Sequence, residues 1–388
     1  MSDEALEVTF VMPCLDEAET LAGCIQAARA CIERHGLDAE IVVADNGSSD
    51  GSQEIARAEG ARVVDVPEPG YGSALMGGFE AARGRYLVMG DADQRYDFGE
   101  AIAMIEAMRD GADLVMGSRF RGEIRSGAMP WLHRYIGNPV LTFVGRLLFP
   151  TKISDFHCGL RGLTRKAYEE MGLRTTGMEF ASEMVVKAVS REMNVAEVPI
   201  TLHPDGRSRP PHLRSWRDGW RHLRFLMVLS PRWSLFVPGG LLVLLGGFLM
   251  ALLGLGPLRL ASVTLDIHTM MAASILVIVG YQAMTTGIAA RIYAVEEEIG
   301  PPAPWLQSAF RHFTLERGIL AGLALASAGG LVIARLAWQW ARVGFGPLET
   351  DLTLRPMVLG TTLVALGMQT LFMSLVYSML GIRRRRDG

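Results

Sequence analysis

The sequence predicts an α/β sandwich over residues 1–232, followed by an all-α bundle of four membrane-spanning helices over 233–388. Three observations carry this expectation. Strand and helix signals alternate through the first half, the rhythm of a parallel sheet with crossover helices. Four apolar runs in the second half each reach the roughly 20 residues that a helix needs to cross a bilayer core. Near Pro231, evenly spread charge gives way to long apolar stretches broken by short polar loops.

Residues 8–12 form a short apolar run that reads as a buried strand, with a helix over 18–35 behind it. Strands over 41–44 and 62–66 bracket a helix over 52–59. A helix over 72–83 then leads to an apolar strand at 86–89, a helix over 98–109 and a strand at 114–116. Ligands are expected outside the C-terminal ends of such strands. Two stretches, 129–149 and 213–233, mix Trp, Leu and Phe with arginines at helical spacing and are expected to lie along a membrane surface. The spans fall near 235–255, 270–290, 319–340 and 357–380. Arg291, Arg311 and Arg317 between the second and third spans, and the arginines at 383–386 after the fourth, assign those segments to the cytoplasmic side. Four spans then return the chain to the side of the sandwich, giving a multi-pass protein of the inner (plasma) membrane with its first domain in the cytoplasm.

The net charge of −3 hides an asymmetry, with acidic residues gathered in the first part and arginines gathered before the apolar half and at the C-terminus. Nucleic acid is not among the expected partners, and a homo-oligomer is left open. Cys14, Cys24, Cys31 and Cys158 lack both the spacing of a zinc site and the density of a disulfide framework, so they read as reduced packing residues. Residues 1–7 are acidic and the first apolar run is too short for a signal-peptide core, which keeps the sandwich in the cytosol in this reading.

Chemistry concentrates at the strand ends. The strand at 86–89 runs into Gly90-Asp91-Ala92-Asp93, two carboxylates one residue apart that can grip a divalent cation together. Hard oxygen ligands suit Mg²⁺ or Mn²⁺, whose coordination is commonly completed by substrate phosphates. A second acidic turn, Asp45-Asn46-Gly47-Ser48-Ser49-Asp50-Gly51, follows the second strand, and the first ends in Met12-Pro13-Cys14-Leu15-Asp16-Glu17. A carboxylate at a strand end can accept hydrogen bonds from a ribose or a base edge. Glu68-Pro69-Gly70-Tyr71-Gly72-Ser73-Ala74 adds a turn into a helix N-terminus, where backbone N–H groups can meet phosphate.

In this order, these segments resemble glycosyltransferase family 2, with its Pro-x-x-Asn-Glu, Asp-Asp-Gly-Ser-x-Asp, Gly-x-Gly-x-Ala and Asp-Ala-Asp motifs. Within it they look most like the dolichyl-phosphate mannose synthases and polyprenyl-phosphate glycosyltransferases. The resemblance implies a GT-A catalytic domain that moves a hexose from a nucleotide sugar, UDP-glucose or GDP-mannose, onto a polyprenyl phosphate with metal assistance and inversion. It assigns Pro13, Glu17, Asp45, Gly70, Gly72, Asp91, Ala92 and Arg119 to the donor, and Asp91 and Asp93 to the metal, with Asp93 counted as catalytic. Three departures stand out: Asp16 replaces the usual Asn, Asn46 a second Asp, and Gln94-Arg95-Tyr96 the frequent Leu-Gln-His.

Downstream, Ser154-Asp155-Phe156-His157-Cys158-Gly159-Leu160-Arg161 resembles the family's Asp-x-x-x-Gly-x-Arg segment, which makes Asp155 the catalytic candidate near the acceptor, as base or as orienting group. A phosphate acceptor lessens the need for a base, since its second pKa is about 6. Arg119, Arg134, Arg207 and Arg209 are the expected cations for the acceptor phosphate. Glu179 and Glu183, spaced for one helix face, read as structural. Two other readings remain in view. A lipid-binding or lipid-flipping protein would let the four spans do the principal work. A processive polysaccharide synthase would carry Gln-x-x-Arg-Trp after Asp155, which Gly219-Trp220-Arg221-His222-Leu223-Arg224-Phe225 does not match.

Overall fold

The computed structural model describes residues 6–149, 151–208, 215–260, 262–296 and 314–380. The chain divides into two compact units, Met1–Leu226 and Met227–Gly388.

The first unit is built on a seven-stranded sheet of order β3-β2-β1-β4-β6-β5-β7. The strands are β1 (Val8–Cys14), β2 (Ala39–Asp45), β3 (Arg62–Asp65), β4 (Tyr86–Met89), β5 (Leu114–Ile124), β6 (Arg161–Thr164) and β7 (Val195–Leu202). Helices α1 (Leu21–His35), α2 (Ser52–Ala58), α3 (Tyr71–Ala81), α4 (Ala101–Arg109), α5 (Asn138–Leu148), α6 (Arg165–Met171) and α7 (Phe180–Ser190) alternate with them. The period-2 geometry of β1 sends Phe10 and Met12 into one buried layer with Ile25, Phe98 and Ile105, and Val11 into the other with Phe79, Phe180 and Met184. Burying each such Phe is worth roughly 1.5–3 kcal/mol, so the sheet is held between two apolar layers, with its polar groups left to the strand ends.

Two expectations need correction. The sheet is not wholly parallel, because β6 runs antiparallel to both β4 and β5. Its four residues, Arg-Gly-Leu-Thr, are too short and polar to stand out in the sequence. The first helix begins at Leu21, three residues later than its periodicity suggests, because Asp16 takes a left-handed φ of 55° and Thr20 N–H closes a turn on Glu17 C=O at 3.1 Å.

Along α5, Val140, Phe143 and Leu147 continue a stripe begun by Ile136 and stay exposed, Phe143 at 66%. The second amphipathic stretch becomes α8 (Ser215–Leu229), inside which the division between the units falls.

The second unit contains α9 (Val237–Gly254), α10 (Ile267–Glu296), α11 (Leu315–Arg342) and α12 (Thr350–Leu380), with a short hairpin of β8 (Leu258–Leu260) and β9 (Val263–Leu265) between α9 and α10. Among the described residues, four helical segments are long and apolar enough to cross a membrane, at Arg232–Gly254, Ile267–Glu296, Leu315–Arg342 and Leu352–Leu380. Helix α11 packs on α12, α9 on α10, and α10 on α12. Small residues permit the close approach. On α11, a Cβ at Gly329 would stand 2.4 Å from Gly360 C=O of α12. Ser274–Thr362 (2.6 Å), Tyr281–Thr370 (2.7 Å) and Tyr377–Thr285 C=O (2.8 Å) join α10 to α12 along a polar seam.

Gly329→Val should therefore lower the detergent-solubilised protein's unfolding midpoint, by a destabilisation of about 1–3 kcal/mol. Gly330→Ala, where an added Cβ meets nothing within 4 Å, should leave that midpoint in place.

Candidate active site

The parallel register sets Cys14 beside Asp45 and Asp45 beside Asp65, so the ends of β1, β2 and β3 align. Beyond β2 the chain turns on Asp45, whose Oδ2 accepts from the N–H groups of Gly47 (3.1 Å) and Ser48 (3.0 Å) and from Gln53 Nε2 (2.8 Å). Burial alone would raise the pKa of this carboxyl, but the hydrogen bonds from Ser48 and Gln53 outweigh it and hold the group below its ordinary value. Asp45 Oδ1 is buried with no partner among the described residues. A bare, ionised acceptor at a strand end can receive an N–H or O–H from a ligand.

The departure at Asn46 has a local cause. Its Nδ2 donates to the carbonyls of Val66 (2.9 Å) and Glu68 (2.7 Å) while its Oδ1 accepts from Gly70 N–H (2.7 Å). An aspartate cannot supply the two donated bonds. Asp16 anchors the opposite turn by accepting from Ser49 N–H at 2.8 Å and donating its own N–H to Ser48 Oγ at 2.9 Å.

Gly70 and Gly72 belong to a packed junction. A Cβ on either would stand 2.1 Å from a carbonyl, of Thr176 and Thr175 respectively. The N–H groups of Gly72 (2.8 Å) and Ser73 (3.2 Å) at the start of α3 donate to Thr176 C=O. Of the N–H groups this turn is expected to offer to phosphate, those of Gly72 and Ser73 are engaged by this carbonyl.

At the end of β4, Asp91 Oδ1 accepts from Tyr71 Oη at 2.9 Å, and the backbone at Gly159 passes so close that a Cβ would lie 2.4 Å from Asp91 Oδ2. Asp93 is buried, and its pKa is pushed up to about 7, first by burial and then by the charge of Asp91, with Arg207 acting against both. Arg207 approaches Asp93 Oδ2 at 3.2 Å, Glu17 Oε1 at 2.9 Å and Asp205 Oδ2 at 2.7 Å. The expected cation for an acceptor phosphate is here spent on three carboxylates. Ala92 C=O accepts from Thr20 Oγ1 at 2.6 Å. Pro13 lies in β1 one residue before Cys14, in register with Ala44.

These residues fit a divalent cation. Two carboxylates share one strand end, Asp91 half-buried and Asp93 buried, and Asp93 already draws a guanidinium to itself. No group of three or more His, Cys, Asp or Glu is gathered for a metal among the described residues. Gln94 does not add itself in this conformation: its φ is 59°, and its side chain lies against Gly23 and Gly206.

Asp155 is fully buried. Arg119 holds it in a bidentate pair, Nε to Oδ2 and Nη2 to Oδ1 at 2.7 Å each, with Arg119 N–H adding a third bond at 3.1 Å. Glu197 on β7 fixes the segment just before, accepting from Ser154 N–H (2.6 Å) and Asp155 N–H (3.1 Å). Arg161, itself fully buried, holds the carbonyls of Phe156 (3.0 Å) and Cys158 (2.8 Å). Arg134 is half-buried, its guanidinium 5.6 Å from the Tyr135 ring centre, and is not brought into this network by any contact described. Arg209 lies outside the described residues. The sequence reading passed over Tyr71, Glu197 and Asp205. Only Glu197 had a local signal, a charge within the apolar run of β7.

Residues 9–172 match the family described as Glycosyl transferase family 2, and 288–381 match the Glycosyltransferase family 2 C-terminal transmembrane region. The low-salt glycan biosynthesis hexosyltransferase Agl6 of Haloferax volcanii is 37% identical over 98% of this chain and 90% of its own length. A dolichyl-phosphate hexose transferase of the same organism is 33% identical over 42% of this chain and 69% of its own length. The dolichol-phosphate mannosyltransferase of Pyrococcus furiosus is 28% identical over 51% of this chain and 56% of its own length.

Behind the site, buried Glu183 on α7 accepts from Thr175 N–H (2.8 Å) and Thr175 Oγ1 (2.6 Å) and pairs with Lys187 at 2.7 Å. Burial opposes the charge, but the bonds from Lys187 and Thr175 prevail and lower the Glu183 pKa. A lowered folded pKa stabilises the protein above the unfolded value, about 4.3, and that stability is lost as pH falls through the folded value. Glu183→Gln should cost about 3 kcal/mol or more at neutral pH by stranding Lys187. It should also flatten the loss of stability below about pH 4, followed by tryptophan fluorescence in denaturant at several pH values.

Proposed function

The chain belongs to glycosyltransferase family 2, and on that premise we propose that it transfers a hexose from a nucleotide sugar to a polyprenyl phosphate at a membrane, inverting the anomeric centre in one displacement. The state of Asp155 carries the choice of acceptor. A sugar hydroxyl would need a base to take its proton. The carboxylate nearest that role is fully buried, with both oxygens held by Arg119. A phosphate monoester is largely dianionic at neutral pH, its second pKa being about 6, and attacks without such help. The names of the relatives that act on dolichyl phosphate support the same acceptor.

Asp45 Oδ1 is free to accept from the nucleoside, and Pro13, Glu17, Gly70, Gly72 and Ala92 shape the surrounding strand ends. Asp91 and Asp93 would hold Mg²⁺ or Mn²⁺. That cation would neutralise the charge developing on the departing diphosphate. Tyr71 and the Gly159 backbone keep the Asp91 carboxylate in one orientation. Asp155 fixes the Arg119 guanidinium at the site instead of removing a proton. Arg207, which shares its charge among Asp93, Glu17 and Asp205, would be available to the acceptor phosphate with Arg119, Arg134 and Arg209 if a metal and donor engaged those acids. Catalysis is then mostly positioning and charge stabilisation. The arginines flanking the spans support a first unit on the cytoplasmic face of the plasma membrane.

Radiolabelled UDP-glucose and GDP-mannose, offered with undecaprenyl phosphate and Mn²⁺, test the reaction. Lipid-borne label from one donor should appear, vanish with EDTA and fall at least 100-fold in Asp93→Ala, roughly the range for losing a charge-stabilising group. Metal-independent transfer, or transfer to a sugar hydroxyl alone, would overturn this reading. Arg207→Ala should bind Mn²⁺ more tightly than wild type in the absence of donor, measured by electron paramagnetic resonance, while its KM for the lipid rises.

A further inference from the structure

The pairings of Gly239 with Gly280 and of Gly246 with Ala273 make α9 antiparallel to α10, and Ser274–Thr362 with Tyr281–Thr370 make α10 parallel to α12. Gly254, Ile267 and Thr350 therefore meet at one end of the bundle, which the chain reaches only after running the length of α9. The exposed Trp338 and Trp340 close α11 at the same end, as aromatic residues do at a membrane–water boundary.

A cleft of about 430 Å³ opens there, with Gly254, Leu255, Asp266, Leu352, Arg355 and Pro356 in its lining, a size within the roughly 300–1,000 Å³ of small-molecule sites. Arg355 reaches from α12 to the end of α9, where it donates to Leu253 C=O, and to the start of α10, where its Nη2 pairs with Asp266 Oδ1. Arg355 Nε and Asp266 Oδ2 are left without a partner among the described residues. The Arg355 side chain is 12% exposed and that of Asp266 39%, so the acid is the more open of the two. Leu255 and Leu352 add exposed apolar surface to the same lining.

These features select among ligands. The two charges cancel, so a phosphate dianion would meet Asp266 as well as Arg355 and gain little. A neutral sugar would leave the guanidinium N–H and the leucines unused. A lipid whose head joins a phosphodiester to a sugar uses every part: a phosphoryl oxygen accepts from Arg355 Nε, a sugar hydroxyl donates to Asp266 Oδ2, and hydrocarbon covers Leu255 and Leu352.

We infer that this cleft binds the head of a polyprenyl phosphoryl hexose at the bundle end opposite the start of α9. The ligand's identity rests on the reading above, in which that lipid is the product of transfer. The four helices then handle the product as well as anchor the chain.

The experiment uses the full chain in phosphatidylcholine nanodiscs, with farnesyl phosphoryl glucose and its mannosyl counterpart, each carrying a diazirine in the farnesyl chain, as photolabels. Mass spectrometry should find label in residues 252–266 and 350–358, counted separately from any in residues 1–226. Unlabelled farnesyl phosphoryl hexose should displace that label at concentrations at least tenfold lower than farnesyl phosphate or octyl glucoside require. Asp266→Asn removes the opposing charge and leaves Arg355 cationic, so farnesyl phosphate should gain about tenfold relative to the glycosyl lipid, the worth of one charged hydrogen bond. A pair that only clamps α12 to α9 would leave the competition order unchanged. The order in the wild-type chain decides the matter even if the variant does not fold. No label in these residues from either glycosyl lipid, or farnesyl phosphate competing equally well in wild type, would overturn the inference. A chain that glycosylates undecaprenyl phosphate but is not labelled in this cleft keeps the proposed function and loses this site. A chain labelled there that transfers no sugar does the reverse.

Discussion

Buried negative charge needs a fixed positive partner, and the first unit is organised by how it meets that need at the ends of its strands. An isolated carboxylate taken out of water costs several kcal/mol even after relaxation. Asp155 meets Arg119 in a bidentate pair, and Glu183 meets Lys187. Asp93, Glu17 and Asp205 share Arg207. The first two pairings are closed, each acid having its own cation and further N–H donors. The third is open to exchange, because one guanidinium serves three acids and Asp93 is still pushed toward its neutral form by burial and by Asp91. A divalent cation with a diphosphate suits that third group and not the others.

The closed pairings build the walls. Glu183 holds Thr175, and the adjacent Thr176 carbonyl receives the N–H groups at the start of α3, which carries Tyr71 onto Asp91. Glu197 and Arg161 hold the two ends of the loop that contains Asp155 and then packs on Asp91. The orientation of one candidate metal ligand is therefore set from two sides by charges that never face a ligand themselves. Such supporting contacts tune a metal site nearly as strongly as its ligands do.

The second unit meets a different constraint. Lipid tails are as apolar as leucine, so helices associate through close packing and interhelical hydrogen bonds. Glycines on α11 and α12 bring backbones together, and the α10–α12 seam pairs hydroxyls along the interface. Measured bonds of this kind average about 0.6 kcal/mol, so the seam fixes register more than it supplies stability.

Periodicity and turn chemistry are local properties, and what depends on them was legible in the sequence: the strand–helix alternation, four spans, and the acidic turns at Asp45 and Asp91-Ala92-Asp93. The order of the motifs made the family legible as well. Partnership was not legible, because it joins residues far apart in the chain. The carboxyl of Asp155 belongs to Arg119, 36 residues away, and Glu17 to Arg207, 190 residues away. No spacing rule connects such pairs. The antiparallel β6, the capping of α3 by Thr176, the turn of Gln94 toward Gly23 and the cleft beside Arg355 were likewise decided by tertiary structure. Each depends on which surfaces the packed layers bring together, whereas the sequence by itself determined which chemical groups were available to meet there.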